Sequence, residues 1–502
     1  MKRTLLLALA MTGLAANAHA ADMLPGAAIP FTNPAEFKDP LPDSLTFYGV
    51  TFFATLDVGY AFQTNGRPTG NVVSTLEFIP FTTTRNYTGQ HISTIAANGL
   101  SQSIIGVKWD EAIGLGWNFI GRADTGVDPL TGRLSDGCSS FVQNAGVTYA
   151  AQNSNADSGR CGQAFNGQLY AGVGNTEFGR LTIGRQNSFQ LDGIGVFDPM
   201  ALSYAFSLLG YSGTDGGSGS TQAARWDNSA RYVFEYGPAS GGAMYAQGGN
   251  GTGFFGPAYG FYLAANYQGF AAEGTYTKEH GAVNLQTAVN DVLGNPNLAA
   301  SISDNTEWAI MAKYTFEFGG HSAAPPLATK EAKPPAHGDL LTFYAGYTNV
   351  TQTNPSTPIA FGQAAGDYPL LVTATLPDNN AFTTPKVLQF YWTGAKYELP
   401  WGLSFTVAYY HVNQNSFVAD NAPCVLGGAS KTDCAGTFDQ GSFLIDYAVT
   451  KHFDVYTGIT YAIVKNGLAA TFPGTPGAKF GAAGTNTSVN TTSMMTGFRV
   501  KI

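Results

Sequence analysis

GQLYAGVGN (Gly167–Asn175), TEFG (Thr176–Gly179), RLTIGRQNS (Arg180–Ser188) and, after a long gap, RWDNSARYVFEY (Arg225–Tyr236) decide the fold of this chain. The pieces read strand, tight turn, strand, loop and strand. Alternation at period two gives each strand two unlike faces. Leu169, Ala171 and Val173 share one face; Gln168, Tyr170 and Gly172 share the other. In the last piece Asn228, Ala230, Tyr232, Phe234 and Tyr236 alternate with Arg225, Asp227, Ser229, Arg231, Val233 and Glu235. A charged face backed by an aromatic one suits a wall between water and an apolar phase. The intervening loop (Phe189–Ala224) contains VFDPMALSYAFSLLG, too long for a hairpin and too apolar for open solvent. Folded back against the wall, it makes a pore with a constriction.

Composition points the same way. The chain has 502 residues, enough for one very large domain or three ordinary ones. Only 12% are charged, about half the usual share. Aromatic content excludes a disordered chain, and 62 glycines sit badly in helices. Many short strands joined by Gly-rich turns fit best. No stretch beyond residue 20 approaches the roughly 20 apolar residues of a transmembrane helix, so any membrane role falls to strands.

Residues 1–20 read as a signal peptide, with Lys2 and Arg3 ahead of LLLALAMTGLAA and Ala18-His19-Ala20 as the cleavage signal. Its removal takes the formal charge from −9 to −11, which argues against a nucleic-acid partner. An exported chain permits disulfides. Cys138 and Cys161 form one local pair and Cys424 and Cys434 another, each in a polar loop. Neighbour pairing is the natural reading, although four cysteines allow three connectivities. A zinc site would need tighter spacing.

Residues 21–44 are Pro-rich and irregular. From Leu45 onward about sixteen strands follow, beginning with LTFYGVTFFATLDVGYAFQ (Leu45–Gln63) and ending with TTSMMTGFRVKI (Thr491–Ile502). Their connections alternate short and long, the pattern of outer-membrane barrels with short periplasmic turns and long outer loops. Residues 321–338 (HSAAPPLATKEAKPPAHG) interrupt that rhythm as a Pro-rich insertion where a short turn is due. In the last strand Met494, Thr496, Phe498, Val500 and Ile502 share a face, with Arg499 and Lys501 on the other. Such a strand can close a barrel against the first and leave no edge. The fold expected is all-β: a transmembrane antiparallel β-barrel over residues 45–502.

LTFYGV, FGRLTIGRQN, DNSARYVFEYG and KHFDVYTGITYAIVKNG, in that order, resemble strands of the trimeric general porins of Gram-negative outer membranes. The resemblance implies a sixteen-stranded barrel, a homotrimer, and a third loop, here residues 187–224, that narrows the pore. It also implies acidic residues on that loop, with Asp192 and Asp198 as candidates, facing basic residues on the wall. Ile104 stands where the family commonly has Arg, and Ile502 where it usually ends in Phe.

Parity gives the lumen candidates Lys108, Arg122, Asp124, Arg225, Asp227, Arg231 and Glu235. Arg185 shares its parity with Leu181 and Ile183 and so points outward, where a bare cation in lipid costs about 2–4 kcal/mol at the midplane. Burial against a neighbouring subunit would relieve it. Trp109, Trp117, Trp308, Trp392 and Trp401 suit interfacial girdles. Gly251-Thr-Gly253-Phe-Phe-Gly256 lacks the strand-to-helix context of a nucleotide loop, and the seven histidines form no H-E-x-x-H. The expectation is a non-enzymatic outer-membrane channel without cofactor, passing ions and small hydrophilic solutes by passive diffusion. A substrate-specific channel for sugars or organic anions, or a barrel hydrolase, is the alternative.

Overall fold

The structure is a computed structural model that describes residues 45–64, 92–135, 160, 163–209, 224–249, 255–287, 298–318, 338–359, 378–379, 382–417, 435–466 and 488–502. The signal-peptide reading, the segment 21–44, the insertion 321–338 and all four cysteines (Cys138, Cys161, Cys424, Cys434) therefore lie outside the described residues.

In chain order the elements are β1 (Leu45–Phe47), β2 (Val50–Gln63), β3 (Ile92–Ala97), β4 (Ile104–Gly114), β5 (Trp117–Asp128), β6 (Arg133–Leu134), β7 (Leu169–Asn175) and β8 (Gly179–Asn187). Helix α1 (Phe189–Phe197) follows, then β9 (Arg225–Tyr236), β10 (Ala239–Ala246), β11 (Ala258–Tyr267), β12 (Phe270–Thr287), β13 (Leu298–Phe318) and β14 (Asp339–Thr353). The remainder are β15 (Asp378–Asn379), β16 (Lys386–Glu398), β17 (Leu403–Gln414), β18 (Gly436–Ala448), β19 (Phe453–Asn466) and β20 (Ser488–Lys501). Each long strand pairs antiparallel with the next, and β20 pairs back onto β2 through Thr55↔Lys501 to Gln63↔Ser493, closing a 16-strand barrel. Closure satisfies every wall amide without water, which is what lets strands cross hydrocarbon. Among the described residues no helix is long and apolar enough to do so.

The first strand differs from its sequence reading. Tyr48 and Gly49 both adopt positive φ (48° and 74°), a two-residue turn that folds β1 back onto β2, Leu45 opposite Phe52. β1 thereby continues the line of β20, and Ile502, just past the end of β20, exchanges backbone hydrogen bonds with Ala54. A second piece, β3, pairs with the upper half of β2 while β4 pairs with the lower. Asp57 spans the break between them. Its carboxylate accepts from the amides of Gly99, Leu100 and Ser101, and from Tyr456 Oη at 2.7 Å.

Outward side chains form the apolar belt. On β13 these are Trp308, Ile310, Tyr314, Phe316 and Phe318, all at least a third exposed. From Trp308 to Phe318, at roughly 3.3 Å per residue and a tilt of about 40°, the belt stands about 25 Å tall, the height of a hydrocarbon core. Trp401 is likewise exposed at the turn end, and Trp117 stacks on Phe178 at 6.0 Å. Trp392 is not part of a girdle. It points inward, 3% exposed, because the barrel interior has an apolar core of its own.

That core is made by the third loop. Ser188 caps α1 by accepting from Leu191 N (3.2 Å), and the helix buries Phe189, Gln190, Gly193, Ile194 and Phe197 against the inner wall. The helix approaches the wall closely at Gly193, where a Cβ would stand 2.3 Å from Glu273 Oε1 and 2.8 Å from Met311 Cε and push those two side-chain ends aside. Beyond the helix Met200, Phe206, Leu208 and Leu209 continue the contact, facing Val350, Leu388, Phe390, Val412 and Phe438. Each fully buried side chain of this size contributes about 1.5–3 kcal/mol. The loop is seated, not suspended.

Candidate pore constriction

Polar bonds fix the path of the loop strand by strand. Lys313 Nζ on β13 donates to Val196 O (3.2 Å), and Trp392 Nε1 on β16 donates to Phe197 O (3.0 Å). Tyr410 Oη on β17 donates to Asp198 Oδ1 (2.6 Å), and Gln440 Nε2 on β18 donates to Phe206 O (3.1 Å). Phe206 meets Tyr456 of β19 edge-on, and Ala205 N donates to Gly99 O (3.0 Å) beside the β3–β4 break. The loop thus leaves β8, follows the inner wall across β11 to β19, and arrives back at β3. Among the described residues the loop's apolar side chains do not pack on the wall from β4 to β8.

The two acidic candidates of the loop have different fates. Asp198 is 2% exposed. Besides Tyr410 it accepts from the amides of Met200 (3.2 Å) and Leu202 (2.7 Å). Burial pushes its carboxyl above the usual range, and the hydrogen bonds from Tyr410, Ser207, Leu202 and Met200 oppose that push. Asp198 therefore anchors the loop from beneath and does not face the lumen. Its grip also holds a strained turn, since Ala201 and Leu202 both sit at positive φ (50° and 57°). Such a conformation costs a side-chain-bearing residue of order 1 kcal/mol or more. Asp192 is the acid that reaches the opening. Its side chain is 41% exposed, and it binds Arg231 Nη2 at 2.7 Å and accepts from Asn187 Nδ2 at 2.9 Å.

On the β4–β8 wall Lys108, Arg122 and Tyr170 stand in register on β4, β5 and β7. Arg122 lies over the Phe53 ring (4.7 Å) and binds Asp124, whose side chain is 3% exposed behind it, at 2.6 Å. Arg231 lies over the Phe189 ring (4.6 Å). Each guanidinium is thus stacked on a phenyl and tied to one carboxylate, which fixes its orientation. Glu235 sits lower, paired with Arg180 at 3.2 Å in an exposed contact near the turn end.

Two further candidates leave the lumen row. Between Gly184 and Gln186 the β8–β9 register shifts, so that Asp227 and Asn228 together oppose Arg185; Gly184 (φ +138°) and Asn228 (φ +50°) absorb the bulge. One extra residue inverts the faces above it. Trp226, not its neighbours, turns inward and donates to Glu279 Oε1 (2.7 Å), while Arg225 stands opposite Asn187. Asp227 joins Arg185 on the outer face at 2.8 Å, where Arg185 also donates to the carbonyls of Asn166 and Gly167. The bare outward cation expected from parity thus has a partner that the bulge delivers. Sequence reasoning missed Tyr170, Trp392, Tyr410 and Gln440. Trp392 and Tyr410 lie on strands with apolar residues at both parities, a sign of burial on both faces.

A family model described as a Gram-negative porin matches residues 6–467. The chain belongs to the Gram-negative porin family. No curated protein matches its sequence. Among solved structures it is similar to the anion-selective porin from Comamonas acidovorans, at 14% identity over 90% of this chain and 99% of that one, with a TM-score of 0.52. It is also similar to OmpT, an outer membrane protein of Vibrio cholerae, at 12% identity over 92% and 100% of the two chains, with a TM-score of 0.51. At such identities the structures speak for the fold, and the family for the role. This porin is an outer-membrane channel for passive diffusion.

Proposed function

We propose that this porin passes ions and small hydrophilic solutes through the opening between its seated third loop and the β4–β9 wall. Size and charge select, and no catalytic step is involved. The observation that carries this reading is the asymmetry of the loop, which among the described residues is bonded to β13, β16, β17 and β18 and leaves Lys108, Arg122 and Arg231 on the side of Asp192. Charges of both signs across a narrow wet gap orient polar solutes and hinder apolar ones. Planar-bilayer recording in a salt gradient tests it. Stepwise conductance with a reversal potential is expected, and its absence overturns the reading, as would hydrolysis of lipid or peptide by the purified barrel.

The assembly we propose is a homotrimer meeting over β4–β8. The upper aromatic ring runs through Tyr245, Tyr276, Trp308, Tyr347, Tyr391 and Tyr461 on β10 to β19. Among the described outward residues of β4–β8 exposed Ile105, Leu169 and Ile183 stand beside small Gly121, Ala123 and Ala171 and the Arg185–Asp227 pair. Protein suits that surface better than lipid does. Arg185→Ala should lower the temperature at which the oligomer dissociates on a gel; an unchanged temperature argues against this interface.

A further inference from the structure

The face that the third loop turns to the opening is unusual for a polar channel. Helix α1 buries residues 189, 190, 193, 194 and 197, which leaves Leu191, Asp192, Gly195 and Val196 on the other side. Next along the chain Ala201 is exposed and Leu202 half-buried, both held at positive φ by the Asp198 carboxylate. Apart from Asp192 the described residues of this lip are apolar, and Val196 and Leu202 keep one side against the core. The lip meets the row Lys108, Arg122 and Tyr170 through Asp192, which binds Arg231 and acts on Tyr170, and Leu202 lies against Gly195, one helical turn from Asp192. The Tyr170 hydroxyl has no hydrogen-bond partner among the described residues, and Arg122, Arg231 and Asp192 are its charged neighbours.

Building on the passive-diffusion reading, we propose that the constriction favours small carboxylates that carry an apolar flank. The carboxylate meets Tyr170 Oη and the edges of Arg122 and Lys108, while the flank lies on Ala201 and Leu202. The charged groups facing this position are Lys108, Arg122 and Arg231 against Asp124 and Asp192, and Asp124 is turned away behind Arg122. An anion of one charge is therefore accommodated at the wall, and Asp192 disfavours a second charge on the same solute. A fully hydrated solute such as acetate uses the wall and leaves the lip wet. Benzoate covers both.

Single-channel current in potassium chloride, with benzoate, acetate or benzyl alcohol added, separates these cases. Benzoate should interrupt the current at about fivefold lower concentration than acetate, the worth of roughly 40 Å² of apolar surface leaving water. Benzyl alcohol, lacking the carboxylate, should have no effect at either concentration. Leu202→Asn, or Leu202→Ala if the first fails to insert, should bring the benzoate-to-acetate ratio near one, each variant being scaled to its own chloride conductance. Tyr170→Phe should weaken both carboxylates together. Equal action of benzoate and acetate on the wild type, a ratio that survives at Leu202, or block by benzyl alcohol overturns the proposal. A channel that conducts chloride without discriminating defeats this inference alone, whereas a silent barrel defeats the passive-diffusion reading with it.

Discussion

The inner wall has two halves that follow the same alternation and differ in everything else. From β13 to β18 the inward positions hold Met311, Val350, Leu388, Phe390, Trp392, Tyr410, Val412 and Phe438, all at most 3% exposed. From β4 to β9 they hold Lys108, Arg122, Asp124, Tyr170 and Arg231. Period two fixes that a strand has two faces, but not that the inner one is wet. The described part of the third loop decides that by lying on one half. Near the turn end, below the loop, polar residues return even on the covered half, where Asp454 binds Arg499 (2.5 Å) and Lys501 (2.8 Å). Apolarity tracks the cover.

Breaking the covered half should have the largest effect. Phe206→Ala removes a ring seated against Tyr456 and should loosen the loop by about 3–5 kcal/mol. The readouts are noisy, larger single-channel steps and new protease cleavage between 198 and 209. Tyr410→Phe is smaller. It strips one partner from the buried Asp198 carboxylate, at a cost of about 1–3 kcal/mol. The pH dependence carries the sign. A carboxyl held above its unfolded value contributes stability that is complete below that unfolded value and lost as pH rises through the folded one. The Tyr410 bond pulls the carboxyl down, so its loss raises the folded value further and carries the acid-side stability of the loop to higher pH before it is lost, readable as a shift in the thermal transition with pH.

Changes on the open half should touch transport more than stability. Asp192→Asn releases Arg231 into the lumen and should raise anion over cation permeability by up to about fivefold, about 1 kcal/mol at a water-like dielectric. Reversal potential measures it, and an unchanged ratio would place the selecting charges elsewhere. Glu235→Gln, at the exposed rim contact with Arg180, should alter stability by no more than about 0.5 kcal/mol. A large loss there would mean the rim is part of the fold's support.

The architecture was legible because its signals are local. A strand with alternating faces, a two-residue turn and a long polar connection each show within about ten residues, and their repetition implied a barrel of about sixteen strands before any contact was known. The site was legible only in part. Parity puts Lys108, Arg122, Asp124 and Arg231 on the inward face, where the strands also hold them, whereas Asp192 came from the resemblance and its role at the opening belongs to the proposed function. Asp227 was misread because one residue inserted at the bulge reverses a face, and nothing in RWDNSARY marks which residue is extra. Trp392 was misread because a tryptophan near a strand centre looks alike whether lipid or a loop covers it.

The sequence by itself determined that this chain forms a two-faced closed wall with its long loops at one end, since backbone geometry dictates those patterns residue by residue. Only the tertiary structure decided which of two loop acids is seen by a solute. Asp192 and Asp198 lie six positions apart, and one reaches the opening while the other is sealed beneath it. That choice belongs to Tyr410, on a strand more than two hundred residues away, and no local pattern can carry a contact of that range.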